Sequence, residues 1–234
     1  MLPIQYYIYA LLAGIIPSLV WLYFWLKEDS ICPEPKRIIF FTFLGGMMMV
    51  ILVIPFQSLC MKYFPDYRIQ ILSMAFLEET FKFLAVYFFA IYGREKLNEP
   101  IDMMILMITA ALGFAALENA LYIFTPISNG HFMEILIGGN MRFLGATLVH
   151  VASSAAFGFM IGIVVYHAKI WKVLLGIVGL VLATALHTLF NLFIIRTTGK
   201  DAFIVFSFVW VAVVIVLMMF EEIKRIHHPT EVNI

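Results

Sequence analysis

Charge is scarce in this chain: 13% of its 234 residues are Asp, Glu, Lys or Arg, about half the ~25% of an ordinary soluble domain. A soluble globular fold is thereby excluded. With Gly 14 and Pro 9, and without any polar low-complexity run, a collagenous or disordered chain is excluded as well. Neither sign of charge is in excess, at 15 Lys+Arg against 15 Asp+Glu. No basic stripe of the kind that nucleic-acid binding needs is present, so no nucleic-acid partner is expected. Cysteine is nearly missing: Cys32 and Cys60 flank the second hydrophobic stretch, which places them on opposite sides of a membrane and argues against a disulfide. No Lys or Arg precedes Lys27, so the basic start of a secretory signal peptide is lacking and the first apolar stretch reads as a retained helix.

What is abundant is apolar surface: 63% of residues are hydrophobic and mean hydropathy is +0.99. A helix needs ~20 apolar residues to cross ~30 Å of hydrocarbon. Hydrophobic windows predict about seven spans, near 3–26, 38–60, 69–93, 101–124, 141–167, 171–195 and 202–220. Short polar connections join them, and the runs lack the alternating polarity of barrel strands. The expected fold is therefore all-α: a polytopic transmembrane helix bundle forming one integral-membrane domain over 1–234, located in the cell membrane as a multi-pass protein and solvated by the lipid bilayer. With the N-terminus outside and the C-terminus cytoplasmic, the inner side holds Lys27, Lys36, Arg37, Arg94, Lys96, Lys169, Lys172, Lys224 and Arg225. The outer side then holds fewer cations, Lys62, Arg68, Arg142, Arg196 and Lys200, and the excess on the inside favours that orientation. The longest connection, Thr125 to Asn140, reads as a plain loop, with a lid lying at the outer interface as the alternative.

Inside the spans a few ionisable groups remain: Glu78, Glu79 and Lys82 in the third, Glu118 in the fourth, His150 in the fifth and His187 in the sixth. Each costs at least ~2–3 kcal/mol near a bilayer centre when unpaired, which makes such residues functional candidates by default. At ~1.5 Å per residue from the outer helix ends, the Glu78/Glu79 pair lies ~14 Å deep, Glu118 ~9 Å, His150 ~14 Å and His187 ~12 Å. All fall in one slab. Lys82 is four residues from Glu78 and three from Glu79, so its ammonium can serve either. A buried ion pair that merely locks helices would not need the second carboxylate, and surplus buried charge suits a general base. The stripes His150, Ser154, Gly158, Gly162 and Gly179, Ala183, His187, Asn191 recur every four residues, and small residues of this kind let helices approach closely. Both histidines and Asn191 should therefore point inward. By contrast, the consecutive methionines at 47–49, 103–104 and 218–219 read as apolar filler, and His227-His228 as a solvated tail.

Glutamates, histidines and an amide in a wet intramembrane pocket suit hydrolysis. A Glu can take a proton from water, a His can protonate a departing amine, and a His or Asn can steady an oxyanion. No H-E-x-x-H zinc motif and no G-x-S-x-G elbow occurs. The aspartates Asp29, Asp66, Asp102 and Asp201 fall at or outside span ends, and a serine nucleophile at Ser153 or Ser154 beside His150 is a weaker option. If a metal participates, His150, His187 and Glu79 could supply three ligands to Zn²⁺ with water as the fourth. The same residues can act without one, and a metal-independent glutamate mechanism is the preferred expectation. The rival classes are a non-catalytic binding or immunity scaffold and a proton-coupled transporter. A transporter should show broken helices, for which Gly45-Gly46 is the faint candidate.

The order of these residues carries a resemblance. Glu78-Glu79-Thr80-Phe81-Lys82 looks like an E-E-x-x-K motif; Gly113 to Asn119 (GFAALEN), His150 and the H-x-x-x-N of His187 to Asn191 follow. Together, over roughly residues 74 to 195, they resemble the PrsW family of intramembrane proteases, itself similar to the superfamily of CAAX prenyl proteases and bacteriocin-immunity homologues. The resemblance implies a polytopic endopeptidase whose catalytic helices lie within about 69–195. It also implies a single-pass membrane protein as substrate, such as an anti-sigma factor cut first near its extracytoplasmic side. Carried over by motif, Glu78 and Glu79 activate water, His150 and His187 complete the acid and oxyanion functions, Asn191 assists, and Glu118 is the third acidic position. Lys82 stands where the prenyl-protease branch has Arg, which favours the PrsW branch.

Overall fold

The computed structural model describes residues 4–29, 33–92, 99–128, 140–196 and 202–226. Within them the chain forms seven α-helices, as the apolar windows require: α1 (Ile4–Trp25), α2 (Lys36–Tyr63), α3 (Tyr67–Val86), α4 (Pro100–Ser128), α5 (Asn140–Gly162), α6 (Lys169–Arg196) and α7 (Ala202–Ile223). A π-helical turn, Tyr87–Ile91, extends α3. Five of the helices are long and apolar enough to cross a membrane: α1, α2, α4, α5 and α6. Most of the connection between α4 and α5, along with Cys32 and His227-His228, lies outside the described residues. Cys60 is a free thiol.

α4 is the hub. Every residue from Ile101 to Ala116 is buried, because α1, α2 and α5 pack along it and α3 approaches from the side. Lipid tails are as apolar as leucine, so burial alone does not hold such helices together; close packing does. The sequence supplies the close approach with glycine. A Cβ on Gly46 would fall on the carbonyl oxygen of Ala110, and one on Gly113 on that of Phe43, so α2 and α4 cross backbone to backbone at a reciprocal pair. Gly14 does the same for α1 against Ala116, and Gly158 for α5 against Met103. Gly45, beside Gly46, accommodates the ring of Phe89. These glycines pack a continuous helix; α2 is not broken at them, so the feature that hinted at a transporter has a different purpose. The outward faces stay apolar, with Val20, Ile51, Val181 and Val214 each more than half exposed, as a lipid-facing surface requires.

The entry to α3 sets the height of the acidic residues. Asp66 caps the helix, its Oδ1 accepting from the Arg68 backbone N–H at 2.7 Å. Gln70 donates to the Phe64 carbonyl at 2.6 Å and closes the tight turn from α2. With α2 and α3 thus antiparallel neighbours, Phe56 meets Phe81 at 5.4 Å between ring centroids.

Candidate active site

α3 brings Glu78, Glu79 and Lys82 to its inner face, all buried. The spacing left open which carboxylate the ammonium takes. Lys82 takes Glu79: Nζ donates to Glu79 Oε1 at 2.6 Å, with both side chains fully buried. Its second hydrogen bond goes to α5, Nζ to His150 Nδ1 at 2.7 Å, and the ammonium sits 5.0 Å from the centre of the Phe114 ring. Because an ammonium only donates, His150 Nδ1 is the acceptor and its Nε2–H is left to donate. It donates to Glu118 Oε2 on α4, at 2.8 Å.

Glu79 is saturated by donors from three helices. Besides Lys82 it accepts from Ser154 Oγ on α5 at 2.8 Å and from His187 Nδ1 on α6 at 2.9 Å. The last bond fixes the tautomer and plane of His187. The imidazoles of His150 and His187 stand edge to face, 4.8 Å between centroids. The serines are accounted for elsewhere: Ser153 Oγ donates to the Val149 carbonyl and Ser154 to Glu79, and neither hydrogen-bonds to His150. Asn119 Nδ2 donates to Thr147 Oγ1 at 3.1 Å, tying α4 to α5 beside Glu118 and His150.

Glu78 has the opposite environment. Its Oε1 accepts one hydrogen bond, from Gln57 Nε2 on α2 at 2.9 Å. Its Oε2 is buried and has no hydrogen-bond partner among the described residues; it faces His187 Nε2 at 3.6 Å. A buried carboxylate oxygen left bare is costly and calls for an explanation. Glu78, His150 and His187 each offer one ligand atom, all within 4.8 Å of one another. Two ligands of a tetrahedral zinc, each ~2.0–2.1 Å from the ion, stand roughly 3.3 Å apart, close to the observed 3.6 Å separation of Glu78 Oε2 and His187 Nε2. These residues fit a divalent cation of that kind once His150 Nε2 gives up the proton it donates to Glu118 Oε2, because a ligating imidazole nitrogen must offer its lone pair. The carboxylate in this grouping is Glu78 and not Glu79, the one anticipated, because Lys82, Ser154 and His187 already occupy the oxygens of Glu79.

Comparison with known proteins bears on the same residues, since residues 34–219 match the PrsW family of intramembrane metalloproteases. The chain belongs to the PrsW family. Among relatives named Protease PrsW, that of Halalkalibacterium halodurans is 29% identical over 87% of this chain and 93% of its own. That of Oceanobacillus iheyensis is 29% identical over 94% and 97%, and that of Geobacillus kaustophilus 31% identical over 67% and 65%. No solved structure matches. As in a PrsW protease, then, this is a multi-pass membrane peptidase. Of the residues singled out from the PrsW-like motifs, Glu79, Lys82, Glu118, His150 and His187 meet in one hydrogen-bonded cluster, and Glu78 adjoins it with Oε2 3.6 Å from His187 Nε2. Asn191, one turn beyond His187, is half-buried and takes part in none of the described hydrogen bonds. The sequence reading missed Gln57 altogether, although an amide in an otherwise apolar span was a visible signal, and it did not connect Ser154 to Glu79.

Proposed function

We propose that this protein is an intramembrane endopeptidase that hydrolyses a peptide bond of a single-pass membrane protein, such as an anti-sigma factor, at the Glu78/Glu118/His150/His187 cluster. The observation that carries the reading is the bare Glu78 Oε2, 3.6 Å from His187 Nε2 and grouped within 4.8 Å with ligand atoms of both histidines. Glu78, His150 and His187 would hold a divalent cation, Zn²⁺ by the chemistry of this donor set, which departs from the metal-independent mechanism preferred on sequence grounds alone. When bound, such an ion polarises a carbonyl and acidifies water.

The remaining residues divide the work. Glu79, pinned by Lys82 and Ser154, orients His187 through Nδ1. Lys82 directs His150. Glu118 is the most open of the acids, with 30% of its side chain exposed against 10% for Glu78 and none for Glu79, so it takes the proton from the attacking water and returns it to the departing amine. Asn191, on the same helix as His187, offers its amide to the substrate carbonyl, the role implied by the H-x-x-x-N resemblance. The non-catalytic scaffold and the transporter have no comparable support, since a scaffold does not need the bare oxygen and α2 is unbroken.

The test is co-expression with candidate single-pass substrates. The wild-type chain should yield a defined cut, and Glu78→Gln and His187→Ala should abolish it while the protein remains in the membrane with unchanged helicity. An intact substrate with the wild-type chain, or continued cutting by Glu78→Gln, would overturn the reading.

A further inference from the structure

The adjacent acids of α3 are treated differently by their surroundings. Glu79 receives an ammonium, whereas Glu78 receives only a neutral amide, Gln57 Nε2 at 2.9 Å. The difference matters chemically. An ammonium neutralises a carboxylate, while an amide steadies it and leaves the negative charge for a cation. A carboxylate is also a rigid fork, so holding Oε1 decides where Oε2 points. Here it points at His187 Nε2, 3.6 Å away, with no hydrogen bond of its own among the described residues.

We infer that Gln57 is a positioning residue that orients Glu78, so that Oε2 is presented to a divalent cation shared with the histidines. This rests on the cation reading given above. The competing explanation is that Gln57 merely fastens α2 to α3, as polar side chains in membrane helices often do. That fastening is already supplied by the Gln70 bond to the Phe64 carbonyl and by the Phe56–Phe81 ring contact. A fastener also has no need to leave the second oxygen of its acceptor bare.

The experiment uses the full chain in detergent, stripped of metal, with Zn²⁺ titrated in competition with a chromophoric chelator and the melting temperature of the metal-free protein recorded alongside. Groups that orient metal ligands typically change affinity 10–100-fold when removed. Gln57→Leu, with Gln57→Met as a second variant of similar size, should therefore weaken Zn²⁺ binding by about that factor while the metal-free melting temperature stays where it was. Gln57→Lys, which still donates to Oε1 but neutralises Glu78, should bind more weakly than Gln57→Leu. Wild-type affinity in both apolar variants, a loss that merely tracks a fall in the metal-free melting temperature, or a Lys variant that binds as well as Gln would each overturn the inference. Glu78→Gln separates the two levels. If that variant binds Zn²⁺ as the wild type does, the cation reading itself fails; if it does not bind and Gln57→Leu does, only the role of Gln57 fails.

Discussion

Removing the Lys82 ammonium should destabilise the bundle strongly, and removing its partner as well should restore most of the loss. Both side chains are fully buried and 2.6 Å apart. After Lys82→Met, Glu79 keeps the Ser154 hydroxyl at 2.8 Å and His187 Nδ1 at 2.9 Å but has no countercharge of comparable proximity. Breaking a buried pair on one side costs about 3–5 kcal/mol, whereas replacing both partners with groups of similar volume is often neutral. By the scaling of soluble domains of this size, at roughly 2–4 °C per kcal/mol, Lys82→Met should lower the melting temperature by about 6–20 °C. The double variant Glu79→Gln/Lys82→Met should recover to near wild type, giving a coupling energy of at least about 2 kcal/mol in a double-mutant cycle. Equilibrium unfolding in mixed micelles measures all four corners. Cleavage should stay lost in the double variant, because His150 and His187 each lose a partner that orients them. A Lys82→Met protein as stable as wild type, or single effects that simply add, would refute the assignment of Lys82 as the countercharge of Glu79.

Gly113→Leu should prevent proper packing of α2 on α4, at a cost of about 1–3 kcal/mol or more, because the new Cβ falls on the Phe43 carbonyl; Gly176→Ala, whose Cβ would meet only the Ile161 side chain at 3.9 Å, should leave the melting temperature unchanged or slightly raised. Asp29, in the polar turn after α1, is buried, and that burial lifts its carboxyl above the ordinary carboxylate range; the Glu34 backbone N–H opposes the rise, and the charges of Glu99 and Glu34 add to it. A group whose folded pKa is raised makes the protein less stable as pH climbs through that value. Asp29→Asn should therefore raise the melting temperature at pH 7, and the gain should shrink toward zero as pH falls to about 4, near the ordinary Asp pKa; a gain independent of pH would contradict this. Chelation of the purified enzyme should stop cleavage and Zn²⁺ should restore it; full activity after exhaustive chelation would remove the cation from the mechanism. Lys224→Ala, which breaks partly exposed pairs with Glu28 and Glu221, should cost less than about 1 kcal/mol in the same unfolding assay.

Much of this architecture was legible because hydrophobic length is a strong signal in a membrane. The third span, read as 69–93, appears as α3 and its π turn from Tyr67 to Ile91. The cluster was legible for a related reason: a titratable group inside a span is expensive, so Glu78, Glu79, Glu118 and the histidines stood out. Pairing within the cluster was not. Helical spacing allows Lys82 to reach either glutamate, and the choice is made by residues on other helices, namely His150, Ser154 and Gln57. Gln57 was overlooked because an uncharged amide near a span end costs little by itself and gains meaning only from the acid across the interface. Asn191 illustrates the converse, since the motif named it and the hydrogen-bonded network does not include it. The α4–α5 connection, where a lid was one reading, lies for the most part outside the described residues.

The distribution of the cluster along the chain gives biosynthesis a timing. The acids of α3 and α4 are made first, whereas His150 and His187 emerge later, on α5 and α6. An unfinished chain still threading from the ribosome therefore holds the acids without their imidazoles and, on the function proposed above, lacks part of its hydrolytic centre. On that reading, docking of α6 completes the centre and sets the moment at which the chain becomes able to cut.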